Sequence, residues 1–284
     1  MVCCLINNVY NQTLIMNLNI QNKTAVITGG DSGIGLHTAI ILANEGATII
    51  LSDMEKEKLE QSAEKIRKEI PQAKIYTLTC DINDNSSVLQ MAEQVAKEFG
   101  GADIVINCAG ARGAAGDFLT LTDEDWLRTI QTDLLGAVRI CRAFIPQLQQ
   151  KNWGRVVLIA SENAIQPYEE ESPYNACKAG IINLSKCLSR AYSKEGLLFN
   201  CVSPAYIETP MTDAMMDQLG KDRGTSKEEA IQWFLKNERP HISVNRRGKP
   251  EEVAAVIAFL VSEQASYVNG SNYRVDGGAV ESAF

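Results

Sequence analysis

The chain has 284 residues, a formal net charge of −8 and a hydrophobic share of 45%, enough to bury the core of one large domain. The acidic balance, with no long basic run, argues against nucleic acid as a partner, and no apolar stretch is long enough to cross a membrane. Eight scattered cysteines, with Cys80, Cys108, Cys187 and Cys201 in apolar or strand-like segments, fit reduced thiols in a reducing, cytoplasmic setting rather than a disulfide framework.

Residues 1–21 read as an N-terminal extension: Asn-rich, carrying Cys3-Cys4, without the basic and apolar regions of a signal peptide. Met16, just ahead of the first strand, is a candidate translation start. From residue 22 to 284 apolar runs alternate with amphipathic stretches, as in one α/β domain. Strands are expected at Thr24–Thr28, Thr48–Ser52, Lys74–Thr79, Ile104–Asn107, Val156–Ile159, Phe199–Val202 and Tyr273–Val275. Helices are expected at Ile34–Glu45 (closed by Gly46), Lys56–Ile70, Ser86–Phe99, Tyr174–Tyr192 and Glu251–Leu260. A further helical region runs from Thr122 to Gln150, with Pro146 interrupting it. Residues 206–247 break this rhythm with Met211, Met215, Met216, Trp233 and Phe234, and follow a strand end, which suits a helical substrate lid.

Strand–helix alternation implies a Rossmann-type, doubly wound parallel sheet whose ligands bind at the C-terminal strand ends. Thr28, Asp53, Asp81, Asn107, Ser161 and Ser203 all fall at that edge. Thr28-Gly29-Gly30-Asp31-Ser32-Gly33-Ile34-Gly35 links a strand to a helix, where glycines let the backbone approach a pyrophosphate at the helix N-terminus. Asp53, ending the next strand, can bond both ribose hydroxyls of NAD and would repel the extra phosphate of NADP. Tyr174 and Lys178, four apart on a helix, share one face. There an ammonium draws a tyrosine pKa down, and the tyrosine can exchange a proton with an alcohol or carbonyl. Ser161, thirteen residues ahead of Tyr174, can hold the same substrate oxygen. If Glu162, Asn163, Gln166 and Glu169-Glu170-Glu171 line the pocket, they favour a polar substrate; if the glutamates face solvent, they say nothing.

These motifs, in this order from about residue 20 to the C-terminus, resemble the short-chain dehydrogenase/reductase family. Gly29, Ser32, Gly33, Ile34 and Gly35 match its cofactor turn, Asp81-Ile82 its adenine contact, and Asn107-Cys108-Ala109-Gly110 its Asn-Asn-Ala-Gly strand end. Ser203-Pro204-Ala205 stands where the family has Pro-Gly, and Ile207 and Thr209 where the nicotinamide carboxamide is held. Asp276-Gly277-Gly278 matches the motif after the last strand. The resemblance implies hydride transfer between NAD and a secondary alcohol or ketone, with Tyr174 as general acid/base. Lys178 would tune Tyr174 and bind the nicotinamide ribose, and Ser161 would orient the substrate. It also implies a homodimer or homotetramer packed through the long helices. Asp133 stands where the family commonly has an Asn of the proton relay, and adds negative charge near Lys178. The alternatives are an NADP-dependent ketoreductase resembling the acyl-carrier-protein reductases, or a nucleotide-binding regulator without catalysis.

Overall fold

The computed structural model describes residues 17–283. Among these residues, seven strands form one sheet in the order β3-β2-β1-β4-β5-β6-β7, every neighbouring pair parallel. They are β1 Thr24–Thr28, β2 Thr48–Asp53, β3 Lys74–Thr79, β4 Ile104–Asn107, β5 Gly154–Ile159, β6 Leu197–Pro204 and β7 Asn272–Val275. The central strands are near-continuous apolar runs because both faces are covered. Alternation splits them cleanly: Ala25, Ile27, Ile49 and Leu51 face one helical layer, Val26, Ile50, Val105 and Val156 the other. The first layer holds α1 (Gly33–Asn44), α2 (Lys56–Glu69) and α9 (Pro250–Leu260). The second holds α3 (Asn85–Phe99), α5 (Gly136–Lys151) and α6 (Ser172–Tyr192).

Strand order reverses between β1 and β4, where Thr28 pairs with Asn107. A crevice opens beyond the carboxyl ends of the strands at such a switch point. Leu18 and Ile20 are buried in the first layer, so the chain is already part of the core just before β1. Met16 and most of the proposed extension lie outside the described residues.

Pro146 does not interrupt the long helical region. It sits inside α5, and the irregularity comes earlier. Helix α4 (Asp123–Ile130) passes into a π-helical turn, Gln131–Leu135, before α5 begins. Single π turns of this kind are frequent at functional sites, and this one carries Asp133.

Residues 206–247 contain α7 (Pro210–Arg223) and α8 (Lys227–Asn237). Met216, Leu235, Tyr206 and Ile242 form a small core of their own, with Met215 and Phe234 packed against it. These apolar residues hold the insertion together. Met211 and Trp233 stand outside this core: Met211 is half-exposed at the start of α7 and lines the cleft, and Trp233 lies under Arg223, whose Cζ is 3.8 Å from the ring centre.

Candidate active site

A cleft of about 490 Å³ runs along the carboxyl edge of the sheet. Its floor is the turn after β1. Gly29 takes a φ of +65°, and a side chain there would meet the Ala109 backbone nitrogen at 2.7 Å. A Cβ on Gly35 would collide with the Gly29 carbonyl oxygen. Only a glycine-lined path lets α1 start this close to β1. Ser32 caps α1 without a side-chain bond to the helix, so its hydroxyl does not satisfy the first-turn N–H groups. An anion is favoured at such a helix end.

Asp53, Ser32 and Met54 line one end of this cleft, and Asp31 joins them. Burial pushes the Asp53 carboxyl above its usual range, and the negative charge of Asp31 adds to the rise. Two carboxylates therefore meet a ligand at this end.

At the other end stand Ser161, Tyr174 and Lys178. Ser161 follows β5, and its hydroxyl accepts from the Asn163 N–H at 3.2 Å. Tyr174 and Lys178 sit on successive turns of α6, with Lys178 Nζ 5.3 Å from the Tyr174 ring centre. Lys178 is buried and donates to the Ile159 carbonyl at 3.2 Å, while Asp133 Oδ1 lies 3.3 Å from its Nζ. Burial works against the Lys178 charge, but Tyr174 and Asp133 outweigh it and raise its pKa. Asp133 Oδ1 also accepts from the Ala111 N–H at 3.1 Å, and its Oδ2 has no partner among the described residues. Burial raises the Asp133 carboxyl despite Lys178.

Tyr174 departs from expectation. Its pKa is raised, because burial outweighs the pull of Lys178, and Asp133 and Glu162 add to the rise. In this site the ammonium limits the increase without reversing it.

Of the site residues expected from sequence, Gly29, Ser32, Gly33, Ile34, Gly35, Asp53, Ile82, Ala109, Gly110, Asp133, Ser161, Tyr174, Lys178, Pro204, Ile207 and Thr209 share this one cleft. Asp81 and Asn107 do not line it. Asp81 braces the turn into α3, accepting from the Asn83 N–H at 2.8 Å. Asn107 accepts from the Thr28 hydroxyl at 2.9 Å, tying β4 to β1 beneath the floor. None of Glu162, Asn163, Gln166 and Glu169 to Glu171 lines the cleft, so they give no support to a polar substrate. Glu169 and Glu170 are exposed, whereas Glu162 and Asn163 are buried behind Ser161. Cys80, Asn83, Pro210 and Thr212 line the cleft as well, and no motif signalled them.

A doubly wound sheet with this glycine turn at one end of the cleft and Ser161, Tyr174 and Lys178 at the other defines a nicotinamide-dependent oxidoreductase. Comparison with known proteins gives the family. A model described as "Enoyl-(Acyl carrier protein) reductase" matches residues 29–280. The chain is 35% identical to an uncharacterised oxidoreductase, YxbG, of Bacillus subtilis, covering 91% of each chain. It is 32% identical to the 3-oxoacyl-(acyl-carrier-protein) reductase FabG of Thermotoga maritima, covering 93% of this chain and 100% of that one. The L-sorbose reductase of Gluconobacter frateurii, solved with NADPH and L-sorbose, superposes with a TM-score of 0.89 at 33% identity, covering 94% of this chain and 100% of that one. The chain belongs to the short-chain dehydrogenase/reductase family.

Proposed function

We propose that the protein transfers a hydride between NAD and a secondary alcohol or its ketone, with Tyr174 as the general acid/base. The observation that carries this reading is the meeting of Ser161, Tyr174 and Lys178 in the cleft that the glycine turn also lines. The dinucleotide would supply the hydride chemistry. Gly29, Gly33 and the start of α1 would hold its pyrophosphate, and Lys178 its nicotinamide ribose. Tyr174 would take the proton from an alcohol or give one to a ketone, and Ser161 would hold the reacting oxygen. Residues 206–247 would act as a lid, since Pro210, Met211 and Thr212 of α7 line the cleft.

The choice of NAD rests on Asp53 and Asp31 together, because a 2′-phosphate would meet both carboxylates. A second reading, an NADP-dependent ketoreductase, draws support from the NADPH in the L-sorbose reductase. Free thiols among the described cysteines support a reducing, cytoplasmic setting. Exposed Phe118, Leu119 and Leu127, at and just before α4, support a homodimer or homotetramer joined there.

Nicotinamide absorbance tests both readings. NAD and NADP are offered with sugars, polyols, hydroxy acids and hydroxysteroids, and Tyr174→Phe runs beside the wild type. The expected result is turnover that favours NAD, and a loss of about 10²–10⁴-fold in Tyr174→Phe, with dinucleotide binding retained. Undiminished turnover in that variant refutes the role given to Tyr174. A preference for NADP moves the protein to the ketoreductase reading.

A further inference from the structure

Ser161 belongs to a second group of polar side chains, packed behind the cleft wall. Its Oγ lies 2.9 Å from Glu162 Oε2 and 3.0 Å from Asn163 Oδ1. The Asn163 amide has a fixed orientation, because its Nδ2 donates to Glu171 at 2.6 Å and to Asn175 at 2.8 Å. Its oxygen is therefore the atom turned to Ser161. A serine hydroxyl has one proton. When Glu162 is ionised, that single proton faces two protein acceptors before any substrate arrives.

We propose that Glu162 is a positioning residue that sets the direction of the Ser161 proton. The proposal rests on the reading of Ser161 as the group that holds the substrate oxygen. A neutral Glu162 donates its carboxyl proton to Ser161 Oγ, and the Ser161 proton then turns to the substrate, with only a neutral amide in competition. An ionised Glu162 instead takes the Ser161 proton in a charge-assisted bond, roughly twice as strong as a neutral one. Ser161, which also accepts from the Asn163 N–H, then meets the substrate oxygen with its one remaining lone pair and stabilises no charge on it.

The surroundings place this change near neutrality. Glu162 is 4% exposed, and burial pushes its carboxyl up to about 7 against the opposing pull of Ser161 and Arg239. Arg239, from the segment after α8, faces it on the lid side, and Glu171 and Tyr168 face it from the loop ahead of α6. Tyr174 faces it from α6 itself. Arg239 is also engaged elsewhere: it lies 3.4 Å from Glu171 and stacks 3.4 Å over the Tyr168 ring. Tyr168 in turn shares a 2.8 Å hydrogen bond with His241. The cationic partner of Glu162 is thus shared with a second carboxylate.

Infrared titration of the ligand-free protein tests the proposal, with Glu162→Gln subtracted to isolate the carboxyl band. The expected midpoint lies near 7, and it rises in Ser161→Ala, because the carboxylate loses its donor. In turnover, wild-type kcat/KM should step down above that midpoint by about a hundredfold, the scale of losing one oxygen-stabilising donor. Glu162→Gln, neutral at every pH, should lack the step. A carboxylate ionised throughout, a midpoint unmoved in Ser161→Ala, or a step that persists in Glu162→Gln overturns the proposal. Absence of turnover on any alcohol or ketone would sink the oxidoreductase reading instead, and the titration would still decide the role of Glu162.

Discussion

The turn between β1 and α1 and the loop between β5 and α6 face the same cleft, but different forces hold them. In the first, backbone meets backbone: Gly29 lies against Ala109, and Gly35 against the Gly29 carbonyl. In the second, side chains from separate segments bond one another: Asn163 to Glu171 and Asn175, Glu171 to Arg239, Tyr168 to His241. A backbone-built floor depends on the absence of side chains, so a single methyl group damages it. A side-chain network is tuned residue by residue, and here it ties the loop after β5 to the segment after α8.

Gly35→Ala breaks the floor and has the largest expected effect of the three variants that separate these regions. Its Cβ has no space beside the Gly29 carbonyl, and overpacking costs about 1–3 kcal/mol. Relief of that clash moves the turn away from the geometry a dinucleotide would meet, and restoring it on binding lowers affinity by about tenfold to hundredfold. Titration of NAD binding by tryptophan fluorescence would measure it, and wild-type affinity would mean that the turn yields more easily than its geometry implies.

Arg239→Ala probes the other region. It removes the cationic partner of Glu171 and the cation stacked on Tyr168, both partly buried. Loss of one such charge and its packing, on the order of 1–2 kcal/mol, should raise substrate KM by about tenfold while NAD affinity holds. The two variants therefore have opposite signatures. Weakened NAD binding in Arg239→Ala would show that the regions are not separable.

The same contrast explains what could be read from the sequence. Short-range grammar produces the glycine turn, the strand-end Asp53 and the Tyr174–Lys178 pair, so those were legible. All seven strands and the helices that flank them followed from alternation of apolar runs. The Pro146 expectation failed because a proline lacks only one helical donor, and the helix around it is held by the buried Phe144, Ile145 and Leu148. The network behind Ser161 was not legible. Arg239 lies 68 residues from Glu171, and His241 lies 73 from Tyr168. An acidic run such as Glu169-Glu170-Glu171 gives no hint that its last member turns inward while the others face solvent. Asp81 and Asn107 are legible by motif; in the structure Asp81 braces the turn into α3 and Asn107 ties β4 to β1.

Asp133→Asn sharpens the comparison from a third segment, the π-helical turn beside Lys178, and its expected effect is the smallest. The amide oxygen can still accept from Ala111 and Lys178, as Oδ1 does now. Turnover at the optimum should therefore change by less than about tenfold, the worth of roughly one weak electrostatic contact. Its pH dependence is the more telling readout. Burial is the main cause of the raised Tyr174 pKa, and the Asp133 charge adds to it. Removing that charge lowers the Tyr174 pKa, so the rising limb of alcohol oxidation, which needs the phenolate, should move to lower pH. Lys178 loses an anionic partner in the same variant, so its own pKa falls as well. A limb that stays in place would mean that Asp133 positions Lys178 without tuning Tyr174. A limb that moves to higher pH would mean that the lost Lys178 charge governs Tyr174 more strongly than the Asp133 charge does, which reverses the order of influence assigned to this buried trio.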